Sequence, residues 1–416
     1  MHNLKPSVIG LKRSFGFGDR LGLATPGHMD AVKGTPFVPV FAQQSIRELQ
    51  RTRRSPDEVM NVAAAAVKSE GWEGIWGADA DHLQSRDDVF LMAGHGYTLF
   101  TIDPSQYVNN EADKMKEEEL ERGYHDLIKN GLFEDGEIFD LYLHKNFDLS
   151  DGISIHFDDE VLLLRAVVKY GAAIGYTRKM AGWIREACAS RPYEIEMSVD
   201  ETDTPTSPPE HFFIGMELKR NNIELVSLAP RFVGEFEKGI DYKGDLKIFE
   251  ESYKKHLAIA KYCGPYKISI HSGSDKFSIY PIIGRLSGEL LHVKTAGTSY
   301  LEALRVIVRT DKKLFREIVG FCRSRYNTDK ATYHVSAKLE DVPAEAEDRE
   351  LEGWYLENES GREILHVTFG SVLVGGKASD GKPFKGQIME NLQKNSDLYR
   401  EVLHQHLGKH IRLLMS

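Results

Sequence analysis

Eight times along the chain a short apolar run stops at a cluster of Gly, Ser, Asp or other polar residues and gives way to a helical pattern, and this repetition constrains the fold more than any other feature. The runs fall at residues 7–11 (leading into SFGFGDRLG), 36–41 (AQQS), 74–77 (ADADH), 98–102 (DPS), 194–199 (DETDTPTSP), 224–228 (APRFVGE), 266–270 (HSGSDKF) and 290–293 (KTAGTSY). Strands alternating with helices form parallel β/α units, and near-continuous apolar strands imply burial on both faces. Eight such units predict an α/β fold, a closed (β/α)8 TIM barrel, within residues 1–310.

The helices between the runs are legible by period. Residues 159–189 carry Val161, Leu164, Val168 and Ala172 at spacings of three and four, and residues 246–262 repeat the habit with Ile248, Tyr253, Leu257 and Ala260. One connection is too long for a simple loop. At about residues 106–158 a charged helix around MKEEELERGYHDLIKNG precedes the alternating stretch DLYLHKNFDLSDGISIHF, which predicts a helix-hairpin insertion whose Glu run is a solvated helix face. Residues 311–416 read as a C-terminal helical extension packed on the barrel.

Composition removes several function classes. The chain has 53 basic and 63 acidic residues, a formal net charge of −10, and no long basic stripe, so nucleic acid is not an expected partner. Cys188, Cys263 and Cys322 are odd in number and form no CxxC pair, which fits neither a disulfide framework nor a thiolate zinc site. A reducing cytoplasm is the expected compartment, with no membrane span and no signal peptide in the opening MHNLKPSVIG. A homo-oligomer is left open.

The chemistry collects where the strands end, and in barrel enzymes that end carries the active site, because the βα loops converge there over a rigid core. GADADHL supplies Asp79, Asp81 and His82. His82 is expected as a metal ligand beside Asp81 as a proton-transfer group; the competing reading makes Asp81 a helix cap and His82 a loop histidine. KISIHSGSDKF supplies His271 as a second ligand, followed by Ser272, Gly273 and Ser274, small residues whose backbone N–H groups suit an anion such as a carboxylate. Asp275 and Lys276 read as a cap or an ion pair. EMSVDETDTPTSP offers Asp200, Glu201 and Asp203. Glu201 is favoured as ligand, and a helix start explains Asp203. Imidazoles with hard oxygen donors suit a divalent ion, zinc first, with Mn2+ or Ni2+ as alternatives.

Other candidates complete the set. His366, in ILHVTFGS, becomes a ligand if the tail folds over the barrel mouth and is otherwise a core histidine. Arg231, Glu235 and Lys294 can bind carboxylate or hydroxyl groups, and Asp19 and Gln43 join Arg231, Ser272, Ser274 and Lys294 as expected substrate contacts. His404, His406 and His410 resemble a metal cluster on paper, but only His406 and His410 share a helical face, and an amphipathic terminal helix is the simpler account. Gly16, Gly18 and Gly22 come close to a dinucleotide fingerprint. They have one residue too many, and the second strand ends in Phe41-Ala42-Gln43-Gln44 without the acidic residue such a site needs, so no NAD is expected.

The blocks SFGFGDRLGLATPGH, FAQQSIRE, GADADH, FTIDPS, SVDETDTPTSP, RFVGEFEKGIDYKGDL, KISIHSGSDKFS, HVKTAGTSYLEA and HVTFGSVL together resemble the tagaturonate epimerase family, over residues 10–374. The resemblance implies interconversion of D-tagaturonate and D-fructuronate, with a keto-hexuronate as the small-molecule partner. A fainter similarity links Asp81-His82 and His271-Ser272-Gly273-Ser274 to metal-dependent (class II) ketose aldolases. Ser272 replaces a glycine of that pattern, and the aldolases' remaining metal histidine has no counterpart in the sixth strand; Glu201 or His366 would stand in for it.

The carbon inverted in such a reaction lies β to the ketone, so its C–H is not acidified by an adjacent carbonyl. Retro-aldol cleavage avoids that difficulty: a divalent ion polarises the ketone, a base takes the proton of the hydroxyl on the inverting carbon, and the C–C bond breaks and re-forms on the other face of the aldehyde. Asp81 is the expected proton shuttle, with Glu201 as the alternative if it is not a ligand. The competing readings are an aldolase that releases its fragments, epimerisation by direct proton transfer or transient oxidation, and a non-catalytic sugar-acid sensor.

Overall fold

The computed structural model describes residues 4–416. Eight strands close into a barrel: β1 (Ser14–Gly18), β2 (Val38–Ser45), β3 (Gly77–Leu83), β4 (Leu99–Ile102), β5 (Glu194–Val199), β6 (Ser227–Pro230), β7 (Lys267–Ile270) and β8 (Leu291–Thr295). Each pairs in parallel with its sequence neighbours and β8 pairs with β1, which is the (β/α)8 topology.

Two strands sit elsewhere than their apolar runs suggest, for one physical reason. The apolar stretch at residues 7–11 is no strand; it closes the bottom of the barrel. There the backbone N–H of Ile9 donates to Glu194 at 2.9 Å, Ser7 donates to the Trp76 carbonyl at 2.9 Å, and the Ile9 side chain fills the space above Gly77. The strand is SFGFG, whose Phe15 and Phe17 are fully buried and whose alternate positions Ser14, Gly16 and Gly18 are small. Likewise β3 is GADADHL and not the run before it, with Ala78 and Ala80 alternating with Asp79 and Asp81. The barrel's interior is polar, so strands with one polar side do not read as apolar runs.

Side chains from opposite strands meet in that interior. Ser14 lies 2.8 Å from His292 Nδ1 and accepts from Lys267 at 3.0 Å near the bottom; above them Thr101 donates to Asp79 at 2.9 Å, and Lys294 reaches Glu196 at 2.8 Å. Each of these strand residues is buried. The charged column ends at the C-terminal mouth.

The expected insertion is present as helices Glu117–Lys129 and Glu137–Tyr142 and a hairpin of Asn146–Asp148 with Ser154–His156. It leads into a 28-residue helix, Glu160–Ala187, capped by Asp159 through the Val161 N–H at 2.9 Å. After the last barrel helix, Thr298–Thr310, the chain remains helical. Its terminal helix, Ser396–Met415, packs on Thr25–Val32, Tyr280–Ser287 and Thr298–Thr310. Contact is close enough that a Cβ at Gly284 would stand 2.1 Å from the Leu414 carbonyl oxygen. The three cysteines are buried and unpaired, and among the described residues no helix is long and apolar enough to cross a membrane.

Candidate active site

A cavity of about 400 Å³ opens at the C-terminal mouth. Its floor is formed by the ends of β3, β5 and β7, and its far wall comes from the C-terminal extension through Tyr333, His334 and His366. His82, Asp200 and His271 each place one ligand-type atom so that all three lie within 4.8 Å of one another. Backbone strain marks the place: His82 has φ 53° and Ser272, next to His271, has φ 50°, both in the left-handed region that β-carbon-bearing residues avoid.

Each histidine is oriented from behind by a carboxylate. His82 Nδ1 meets Asp81 Oδ1 at 2.9 Å, leaving Nε2 buried, without a hydrogen-bond partner among the described residues, 3.8 Å from Asp200. His271 Nε2 meets Glu196 at 2.7 Å, leaving Nδ1 3.1 Å from the same Asp200 oxygen. Ser198 donates to that oxygen as well. Outer carboxylates of this kind fix the tautomer and direction of metal-binding imidazoles.

Beneath the cluster Lys294 balances the acids. Its ammonium lies 2.7 Å from Asp79, 2.9 Å from Asp81, 2.8 Å from Glu196 and 2.6 Å from the Thr101 hydroxyl. Burial opposes the charge of Lys294, but the three carboxylates hold its pKa well above the ordinary lysine value. Burial would push Asp81, Glu196 and Asp200 up; for Asp81 His82 and Lys294, for Glu196 Lys294 and His271, and for Asp200 His271 and His82 reverse this and hold each well below the carboxylate range. Asp79 goes the other way, to about 6, because burial and its acidic neighbours Asp81 and Glu196 outweigh Lys294. Burial pulls His82 and His271 down, and the adjoining carboxylates, Asp81 for the first and Asp200 for the second, carry both above the ordinary imidazole value.

The expected residues are distributed unevenly around this centre. His82 and His271 come together, and the carboxylate beside them is that of Asp200, one of the three acids within four residues and not the favoured Glu201. Glu201 lines the cavity with its carboxylate 3.0 Å from Arg47, and its side chain is 37% exposed. His366 lines the opposite wall, buried, with Nδ1 unpartnered among the described residues; burial, then Arg20, Lys238 and Arg362, keep its pKa well below the ordinary value. Arg231 and Ser272 line the cavity, whereas Ser274 and Lys294 are buried behind it. Asp19 uses its carboxylate locally, accepting from the N–H groups of Leu21, Gly22 and Ala24 at 3.1, 2.7 and 2.9 Å. Gln43 is buried with its amide oxygen lying where a Cβ on Gly16 would be, so that glycine makes room for a side chain and not for a dinucleotide. Lys238, assigned no role by the sequence, lines the cavity and donates to Ser272 Oγ at 2.5 Å.

A second group, Asp275, His406 and His410, also meets the distance requirement for a metal, yet its nitrogens are committed. His410 Nε2 accepts from the Asp275 N–H at 3.0 Å while Nδ1 donates to the His406 carbonyl at 2.9 Å, and Asp275 pairs with Arg362 at 2.9 Å and His406 at 2.6 Å. These bonds brace the β7 loop against the C-terminal extension.

Fold and site together define a (β/α)8 enzyme with a histidine- and carboxylate-lined cavity at its C-terminal mouth. Comparison with known proteins narrows this: the family model described as "UxaE: tagaturonate epimerase" matches residues 1–414, and the chain belongs to that family, a family of isomerases. It is 42% identical over 414 residues to the tagaturonate/fructuronate epimerase of Thermotoga maritima, covering 99% of this chain and 82% of that protein. It also superposes on crystal structures of the fructuronate-tagaturonate epimerase UxaE from Cohnella laeviribosi. The glycerol complex gives a TM-score of 0.93 at 39% identity and the native form 0.92 at 38%, each covering 99% of this chain and 83% of the other.

Proposed function

We propose that the protein interconverts D-tagaturonate and D-fructuronate, using a divalent metal held by His82, Asp200 and His271. The observation that carries the metal is the paired orientation of the two imidazoles: each is turned by an outer carboxylate so that its other nitrogen faces Asp200, and one of those nitrogens, His82 Nε2, has no hydrogen-bond partner among the described residues. Two nitrogens and a carboxylate oxygen suit zinc first, with manganese or nickel as alternatives. When bound, the ion supplies Lewis acidity to the substrate's ketone oxygen.

The chain's own residues then divide the work. Asp81 is engaged by both Lys294 and His82, so its part is to hold His82 and not to carry a proton. Glu201 faces the cavity with Arg47 as its ion-pair partner and serves as the base. It takes the proton of the hydroxyl on the carbon β to the ketone as the C–C bond to the α carbon breaks. The electron pair of that bond passes into the ketone fragment, and an aldehyde forms on the other. After the aldehyde turns, the bond re-forms on its opposite face and Glu201 returns the proton. Arg231 and Ser272 bind the substrate's oxygens while the fragments are apart. Retention of both fragments in a cavity of about 400 Å³ separates an epimerase from an aldolase. The buried free thiols accord with a reducing cytoplasm.

Incubation of tagaturonate in D2O, followed by NMR, tests the chemistry. Fructuronate that retains its original hydrogen on the inverted carbon is expected; solvent deuterium at that carbon would establish direct proton removal instead.

A further inference from the structure

Nearly every carboxylate facing the cavity is already matched. Glu48 pairs with Arg20 at 2.8 Å, Glu201 with Arg47 at 3.0 Å and Glu235 with His334 at 2.7 Å, while Asp81 and Asp200 belong to the histidine and lysine cluster. The cations are not all matched. Arg51, Arg231 and Lys238 line the cavity without an ion-pair partner among the described residues. Arg51 is tied to Tyr333 and Thr332, and Arg231 to the Thr202 carbonyl. Lys238 has a single neutral partner, the hydroxyl of Ser272, at 2.5 Å.

That bond also locates Lys238. Ser272 directly follows His271 at the strained end of β7, so the ammonium stands beside the proposed metal centre, and His366 across the cavity feels its charge. An unmatched ammonium at the wall of a cavity, anchored to a hydroxyl that can share an incoming oxygen, is a receptor for one anionic group.

We propose that Lys238, with Ser272, binds the carboxylate of the sugar acid and so sets the preference for a keto-uronate over a neutral ketose, an inference that rests on the epimerase reading above. Through cleavage and re-addition the carboxylate stays fixed on this pair while the aldehyde carbon turns. Lys238 is a binding residue, and its loss falls on substrate affinity more than on turnover.

The experiment compares wild type, Lys238→Met and Lys238→Arg by steady-state kinetics on tagaturonate, with metal content measured in parallel. Lys238→Met is expected to raise KM at least about 30-fold, with a smaller fall in kcat and unchanged metal content, and Lys238→Arg to recover a substantial part of the loss. An unchanged KM in Lys238→Met, or an arginine variant as impaired as the methionine one, would overturn the assignment. Calorimetric titration with D-glycerate, a three-carbon hydroxy acid, reports on the lysine independently of turnover: wild type is expected to bind it and Lys238→Met to bind it at least tenfold more weakly, and equal binding counts against the proposal. Wild type that leaves tagaturonate unconverted would refute the epimerase reading, while the glycerate titration would still decide the role of Lys238.

Discussion

Replacing Lys294 by Met removes the ammonium that three buried carboxylates share. The ammonium stands 2.7 to 2.9 Å from Asp79, Asp81 and Glu196, and its side chain is 5% exposed. Methionine nearly preserves length and volume, so the change isolates charge. Breaking a buried ion pair by deleting one partner costs about 3–5 kcal/mol, since the remaining charges stay buried and uncompensated. Unfolding entropy near 2.1 cal/mol/K per residue gives about 0.9 kcal/mol/K for a chain of 416 residues, so a loss of about 4 kcal/mol lowers Tm by about 5 °C. The deficit depends on pH. Asp79, already raised to about 6, loses the cation that opposes burial and its acidic neighbours, so its folded-state pKa rises further above the unfolded value and the folded variant takes up a proton and regains stability as pH falls from 8 towards 5. Thermal unfolding followed by circular dichroism at pH 8 and pH 5 measures both effects. A Tm within 1 °C of wild type at pH 8, combined with a raised KM, would refute this reasoning and restore Lys294 to the free substrate contact that its place at a strand end suggests.

Other perturbations probe the C-terminal wall. Glu363 is buried against Glu237, and burial followed by that neighbour raises its pKa to about 8. Its folded-state pKa therefore exceeds the unfolded one, and its stabilising contribution, complete below about pH 4.5, is lost as pH rises towards 8. Glu363→Gln should flatten that decline, with a gain of about 1–2 kcal/mol over wild type at pH 8 in urea unfolding; parallel pH profiles would count against it. Gly297→Ala would put a Cβ 2.0 Å from His366 Cε1. The imidazole must then swing away, so a Tm drop reflecting about 1–3 kcal/mol and a higher KM are expected, and unchanged thermal and kinetic behaviour would show that the wall yields without consequence.

The sequence exposes the barrel through its eightfold repeat, and the two histidines through their places at strand ends. It conceals the strands' exact positions because this barrel carries charge inside. Ser14-Gly16-Gly18, Asp79-Asp81 and His292-Lys294 each alternate with apolar residues, so the strands that hold them look half polar and the neighbouring apolar segments attract attention instead. The same alternation held the clue to the third group of the His82–His271 cluster. Glu196, Ser198 and Asp200 are spaced by two along EIEMSVD, which places them on one side of an extended strand, whereas Glu201 falls on the other side. Composition could not separate Asp200 from Glu201; strand parity could. Lys238 left no periodic signal, since it lies on the long loop after β6, and its role depends on which cations the folded chain leaves unmatched.

Asp200 and Glu201 also separate the account from its alternatives most directly. Metal content and tagaturonate turnover should be measured for wild type, Asp200→Asn and Glu201→Gln after identical purification. The predicted result is about one divalent ion per chain in wild type and in Glu201→Gln. Asp200→Asn should lose the ion, and both variants should lose turnover. Full metal content in Asp200→Asn, or loss of the ion from Glu201→Gln alone, would contradict the proposed centre.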